Sequence, residues 1–173
     1  MASQPVGAKF RIREYRAADF ETLWNIDQQC FPPGISYSRL ELTGYLTQRH
    51  AVSLVAESLD ANRDARFADL PAADAAGRIA GFVVAHAVRR KYGRILTLDI
   101  APRARRCGLG TLLMSACEER LRAAGCAEVY LETAVDNEPA LKLYRRLGYE
   151  VLEILPEYYS SHLLDAFRMA KRL

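Results

Sequence analysis

The sequence predicts an α+β fold: one mixed, mostly antiparallel central sheet, holding a single parallel strand pair, flanked by helices. Three observations predict it. The run from Arg94 to Ala134 reads as a strand, a tight glycine-bearing turn, a long amphipathic helix and a second strand. Such a unit requires a parallel pair with a right-handed crossover. Short alternating runs on either side are joined by turn residues, which makes the other pairings antiparallel. The 173 residues, 50% apolar and 26% charged, suit one domain (1–173) with a full core and leave little room for two.

Phe10–Arg13 alternates as a first strand and leads to Asp19, the expected N-cap of a helix over Phe20–Gln29. Pro32, Pro33 and Gly34 break the chain after it. A second helix starts after Ser38, with Glu41 three residues on in capping-box spacing. Ala51–Glu57 is the next strand. Residues 58–78, rich in Ala and Asp with little apolar periodicity, read as a long hairpin excursion, because the flanking strands need each other. Ile79–Arg90 and Arg94–Ile100 pair through the turn Lys91-Tyr92-Gly93. From Leu109 the apolar positions Leu112, Leu113, Ala116, Cys117, Leu121 and Ala124 mark one buried helix face, and Gly125 ends it. Glu128–Ala134 is a strand. Asp136-Asn137-Glu138-Pro139 opens a helix whose stripe of Ala140, Leu141, Leu143, Tyr144 and Leu147 runs to Gly148. Val151–Leu155 and Ala166–Lys171 are the last strands, joined by residues 156–162.

Between the strand and the crossover helix lies Arg105-Arg106-Cys107-Gly108-Leu109-Gly110. Two glycines let backbone pass close to a ligand, and the first N–H groups of a helix lack internal partners. The stretch is either a plain turn or a site for a phosphate or diphosphate, with Arg103, Arg105 and Arg106 adding charge. It is not a Walker loop, since no Gly-Lys-Ser/Thr follows, nor a dinucleotide fingerprint, since the third glycine is missing.

Arg105, Gly108 and Gly110 match the Arg/Gln-x-x-Gly-x-Gly/Ala signature of the GNAT superfamily of acyl-CoA-dependent N-acyltransferases. The chain resembles that family through Leu173 and more loosely back to its N-terminus. The resemblance implies acetyl-CoA (coenzyme A) as cosubstrate, with its diphosphate held along Arg105, Arg106, Cys107, Gly108, Leu109, Gly110 and Thr111. It also implies that backbone near Ile100 and Ala101 polarises the thioester carbonyl. Cys107 stands where longer polar residues are usual, which touches a side-chain contact and not the backbone ones.

Glu132 lies late on the second strand of the parallel pair, near the crevice where open sheets bind ligands. By pattern alone it is equally a solvated strand-end carboxylate or an ion-pair partner. Leu131-Glu132-x4-Asn137-x2-Ala140-x3-Tyr144, followed by Arg146-Leu147-Gly148-Tyr149, is similar to bacterial ribosomal-protein alanine N-acetyltransferases. That resemblance implies direct transfer without a covalent enzyme intermediate. Glu132 becomes the general base, directly or through a water. Tyr144, twelve positions on, becomes the general acid toward the departing thiolate and a cosubstrate contact. Asn137 becomes a hydrogen-bond partner of the pantetheine arm, though a helix cap explains it equally, as a core aromatic does Tyr144. Asp99, on the neighbouring strand, is the rival base.

Phe31, Pro32 and Tyr37 on one side, and Tyr158 and Tyr159 on the other, resemble the two loops with which Nα-terminal acetyltransferases enclose the first residues of a peptide. Turns packed on core aromatics are the other reading. Deprotonating an α-amine of pKa ~8 at neutral pH costs roughly 1.4 kcal/mol, against roughly 4.6 for a lysine near 10.4, which leans mildly the same way. The implied partner is a protein or peptide N-terminus as acceptor, with the enzyme itself a monomer or homodimer. A small-amine or antibiotic acetyltransferase and a non-catalytic acyl-CoA-binding module are the competing classes.

A net charge of +3, with basic residues gathered at 89–91, 94 and 103–106, suits a local anionic ligand and not a nucleic acid. No run reaches membrane-spanning length, and Met-Ala-Ser-Gln-Pro lacks the apolar core of a signal peptide. Cys30, Cys107, Cys117 and Cys126 show no Cys-x-x-Cys spacing, and His50, His86 and His162 show no ligand spacing. A reduced, cytoplasmic protein without a metal is expected.

Overall fold

The structure, a computed structural model describing residues 9–59, 78–88, 91–159 and 163–173, contains seven strands and four α-helices among those residues. The strands are β1 (Phe10–Glu14), β2 (Ala51–Ser58), β3 (Ile79–Val88), β4 (Tyr92–Ile100), β5 (Glu128–Ala134), β6 (Glu150–Tyr159) and β7 (Leu164–Arg172). The helices are α1 (Phe20–Cys30), α2 (Arg39–Thr47), α3 (Leu109–Ala123) and α4 (Glu138–Arg146). All strands join one sheet in the order β1-β2-β3-β4-β5-β7-β6. The β4–β5 pair is parallel, from Tyr92 opposite Glu128 to Ile95 opposite Leu131, and the other pairs are antiparallel. The mixed α+β sheet expected from the crossover unit is therefore the fold observed. Residues 60–77 of the expected excursion lie outside the described residues, as do Arg89, Arg90 and His162.

Near the middle of the sheet, β3 is buried from Ile79 to Ala85, which is why it reads as an unbroken apolar run. Leu113, Met114, Cys117 and Leu121 of α3 are fully buried where that helix packs on β2, β3 and β4. Leu23 and Ile26 of α1 are buried where it packs on β3 and β4. A single irregularity in β4 changes which way its later side chains face. Val84 pairs with Thr97 and Ala85 with Ile95, so Leu96 is left over as a bulge. Gly93 meets Leu121 of α3, while Asp99 meets Asp27 of α1. Across an unbroken strand those two odd-numbered positions would share a face.

Two expectations are corrected. Asp19 sits at the entry to α1 but makes no side-chain cap there. A 3-10 turn over Ala17–Asp19 intervenes, and the Asp19 carboxylate accepts from the Arg16 N–H (2.8 Å) and the Arg13 guanidinium (2.7 and 2.9 Å). β6 is also longer than expected, running on through Pro156 to Tyr159. It is an edge strand, where proline needs no ladder partner, and a register shift between Leu155 and Tyr159 absorbs it.

Candidate active site

β4 and β5 stop pairing beyond Ile95 and Leu131, and between them opens a cleft of about 1030 Å³. Leu96, Leu98 and Ile100 line it from β4, and Leu131, Glu132, Thr133 and Ala134 from β5. Asn137, Ala140, Leu143 and Tyr144 reach it from α4 and its cap. Phe31, Pro32, Ile35 and Tyr37 contribute from the segment after α1, and Tyr159 and Leu164 from the ends of β6 and β7.

The start of α3 forms another part of the same cleft through Arg105, Arg106, Gly108, Leu109, Gly110 and Thr111. Gly108 takes the N-cap position in a left-handed conformation (φ 81°), and no side chain caps the helix. Its first amides thus lack the side-chain acceptor that usually answers them. A Cβ on Gly110 would lie 3.0 Å from Leu143, so a side chain there would crowd the wall toward α4. Uncapped amides beside bare glycine backbone fit a diphosphate. The arginines divide. Arg105 folds back along the wall, donating to the Ile100 carbonyl (3.2 Å) and to the Cys30 sulfur (3.6 Å). Arg103, expected to add charge here, instead donates to the Ile79 carbonyl (3.0 Å) and does not line the cleft.

The Glu132 side chain is only 4% exposed, and both of its oxygens are engaged. Oε2 accepts from Arg94 (3.2 Å) and Oε1 from Arg168 (3.1 Å), which stands directly opposite Glu132 on β7. Arg168 also holds Glu153 of β6 (2.5 Å), and Arg94 donates to the Tyr158 hydroxyl (3.1 Å). Each carboxylate oxygen has a second lone pair, so this clamp fixes the group without exhausting its acceptor capacity. The Tyr144 side chain is nearly buried, its ring 5.8 Å from that of Tyr149. Burial pushes its phenol well above the usual tyrosine range. Tyr144 therefore stays protonated across the neutral range, the state that a donor to a leaving thiolate needs.

The segment after α1 is held at Tyr37. Its N–H donates to Asp27 (2.9 Å), its carbonyl accepts from Trp24 (3.2 Å) and Gln28 (2.9 Å), and its hydroxyl donates to the carbonyl of the bulged Leu96 (3.1 Å). Burial raises the Tyr159 phenol to about 12. Of the residues expected from sequence, Phe31, Pro32, Tyr37, Ile100, Arg105, Arg106, Gly108, Leu109, Gly110, Thr111, Glu132, Asn137, Tyr144 and Tyr159 share this one cleft. Ala101, Cys107 and Tyr158 are not among its lining residues. The Ala101 N–H bonds to the Ala80 carbonyl (2.9 Å), and the Cys107 thiol donates to the Ala104 carbonyl (2.8 Å). Asn137 does cap α4, accepting from the Ala140 N–H (3.3 Å), while also facing the cleft. Asp99 is fully buried beneath β4. Sequence reasoning missed Arg94 and Arg168 as the clamp on Glu132. The clustering of Arg94 with other basic residues was a visible signal, whereas Arg168 is placed by strand register alone.

Residues 20–149 match the model of the acetyltransferase (GNAT) family. The chain belongs to that family, and it is an N-acetyltransferase enzyme. It is 26% identical over 179 residues to an N-alpha-acetyltransferase from Sulfurisphaera tokodaii, covering 96% of this chain and 95% of that protein. The crystal structure of Ard1 from Thermoplasma volcanium superposes with a TM-score of 0.75 at 26% identity, covering 95% of this chain and 98% of that one. The ribosomal-protein alanine N-acetyltransferase from Escherichia coli superposes with a TM-score of 0.76, over 94% of this chain and 93% of its own; at 20% identity that likeness speaks for the fold. Among the described residues, no helix is long and apolar enough to cross a membrane, and no group of three or more His, Cys, Asp or Glu is arranged to hold a metal ion.

Proposed function

We propose that this chain is a single acetyltransferase domain that moves the acetyl group of acetyl-CoA directly onto the N-terminal α-amine of a protein or peptide, in the cytoplasm. One observation carries the reading: Glu132 and Tyr144 line the same cleft, between the uncapped start of α3 and the aromatic side chains of Phe31, Tyr37 and Tyr159. The α3 amides hold the diphosphate, and the parting of β4 from β5 admits the pantetheine arm. The amine attacks the thioester carbonyl, so that a C–N bond forms and the C–S bond breaks. Glu132, held by Arg94 and Arg168, takes the proton from the amine, and Tyr144 donates to the departing sulfur. Four free cysteines accord with a reducing compartment.

The small-amine reading favours an acidic acceptor site. Of the carboxylates here, Glu132 is answered by two guanidiniums, which leaves Asp136 as the other acidic group lining the cleft. The name of the 26%-identical Sulfurisphaera tokodaii relative, an N-alpha-acetyltransferase, leans toward an α-amine acceptor as well. Thiol release should be followed with acetyl-CoA and a panel of peptides with free N-termini, N-blocked lysine peptides, polyamines and aminoglycosides. Free N-termini are expected to exceed blocked lysine peptides at least tenfold in kcat/KM. Activity confined to polyamines or aminoglycosides would overturn the acceptor assignment while sparing the acyltransferase one. With the preferred peptide, Tyr144→Phe is expected to lower kcat roughly 10- to 100-fold through loss of the donor. An unchanged kcat would make Tyr144 a wall residue only.

A further inference from the structure

Asp27 on α1 and Asp99 on β4 are each fully buried, and the acyl-transfer chemistry leaves both unused. Asp27 Oδ2 accepts from the Tyr37 N–H (2.9 Å) and from the Gln28 amide (3.0 Å). Asp99 Oδ1 accepts from the Thr97 hydroxyl. The remaining oxygens, Asp27 Oδ1 and Asp99 Oδ2, are buried without a hydrogen-bond partner among the described residues, and the two side chains are close enough to act on each other. Two ionised carboxylates could not answer each other, since an ionised carboxylate only accepts. One proton between them supplies the missing donor and answers both orphaned oxygens.

The groups around the pair do not replace that proton. Cys30 on α1 and Tyr144 on α4 are neutral groups whose thiol and phenol burial pushes up, and Tyr37 behaves alike. Glu41 on α2 adds negative charge toward Asp27. Phe82 is the partner of Asp99 on β3. Arg105 acts favourably on Asp99, but its guanidinium is engaged with the Ile100 carbonyl and the Cys30 sulfur.

We propose that Asp27 and Asp99 share one proton and thereby act as positioning residues, clasping the acceptor segment 31–37 to β4, so that acceptor affinity falls when the proton is lost at alkaline pH. This clasp rests on the acyl transfer proposed for the cleft. Its mechanical basis is Tyr37, whose backbone is held by α1 through Asp27, Trp24 and Gln28 and whose hydroxyl is held by β4 at Leu96. Loss of the proton leaves two facing negative charges in a buried site, and α1 and β4 are then driven apart. Tyr37 cannot follow both. The diphosphate amides belong to α3, an element that carries neither aspartate nor Tyr37, so the acetyl-CoA site is affected less. Burial, largest among the causes, raises both carboxyls: Asp27 to about 6 and Asp99 well above the ordinary range. The Asp27 charge also raises Asp99, so the shared proton is assigned to Asp99.

Stability moves in the same direction. The folded state holds these protons more tightly than the unfolded chain, where a carboxyl titrates near ~3.9. Their contribution is full below that value and declines as pH rises through about 6 for Asp27. Asp99→Asn and Asp27→Asn each supply an amide donor in place of the proton. The test uses the full chain, acetyl-CoA and the best peptide of the panel. In the wild type the acceptor KM is expected to rise roughly tenfold from neutral to alkaline pH, the loss of one charge-assisted hydrogen bond, with little change in the acetyl-CoA KM. That rise should vanish in Asp99→Asn. Asp99→Leu should carry a raised acceptor KM at every pH, most of which Asp99→Asn recovers. Two readouts need no acceptor. Infrared spectra at neutral pH should show a protonated-carboxyl band that Asp99→Asn removes, and melting midpoints of Asp27→Asn should lose part of the wild-type decline between acid and neutral pH. Absence of that band, or an alkaline rise that persists in Asp99→Asn, overturns the clasp. If no peptide is a substrate, the acceptor assignment fails while the infrared and melting results still decide the clasp.

Discussion

Glu132→Gln is expected to lower kcat/KM for the preferred peptide by roughly 10²- to 10⁴-fold, the range for loss of a general base, while moving the melting midpoint little. The substitution keeps the shape and one acceptor oxygen, so Arg94 or Arg168 retains a hydrogen bond. Both arginine side chains are about one-third exposed, at 36% and 35%, and each has another partner in Tyr158 or Glu153. Partly solvated guanidiniums lose little when a partner is neutralised, of order 1 kcal/mol or less. A carboxylate whose role is to join β4, β5 and β7 gives the opposite pattern: near-normal turnover and a lower midpoint. Steady-state kinetics beside a thermal melt separate the two. Turnover that survives in Glu132→Gln removes the base role from this residue.

Legibility in the sequence divides along sequence distance. The Arg105–Gly110 turn and α3 are written in consecutive residues, through glycine placement and a 3.6-residue apolar stripe, so both were legible. The parallel pair followed because a strand–helix–strand unit admits one handedness. Glu132 and Tyr144 lie on β5 and the next helix, and their meeting in one cleft follows from the parting of β4 and β5. The Glu132–Arg168 pair depends on the antiparallel register of β5 with β7, and the hydrogen bond spans 36 positions. No local pattern encodes that register, and a one-residue slip would turn Arg168 to the other face. Asp27 and Asp99 meet only because the Leu96 bulge turns Asp99 toward α1, and a bulge leaves little trace in an alternating run. Asp19 misled for a different reason. Its residue type suits a cap, but Arg13 offered its carboxylate a stronger, charged partner.

Gly81→Ala is expected to cause the largest loss of stability from a single methyl group. A Cβ at this β3 position would lie 2.5 Å from the Asp99 carbonyl oxygen, 2.9 Å from Ile100 Cδ1 and 3.3 Å from Ile100 Cα. The Ile100 side chain can turn away. The carbonyl cannot, because it belongs to the backbone of β4, whose Ile100 pairs with Gly81 itself. Overpacking of this kind costs about 1–3 kcal/mol, and a backbone clash falls at the upper end. At about 2–4 °C per kcal/mol for a chain of this size, the midpoint should fall by roughly 6–12 °C. The internal control is Gly44 on α2, where a Cβ would have no heavy atom within 4 Å. Gly44→Ala is accordingly expected to stabilise by about 0.5–1 kcal/mol through helix propensity alone. The same chemical change thus has opposite signs at two glycines. The strand that must yield in Gly81→Ala carries both Asp99 and the Ile100 wall of the cleft. Its stability loss should therefore come with a raised acceptor KM, measured well below the midpoint. A destabilised but kinetically normal Gly81→Ala protein would mean that β3 moves instead, and that β4 holds its course against the packing behind it.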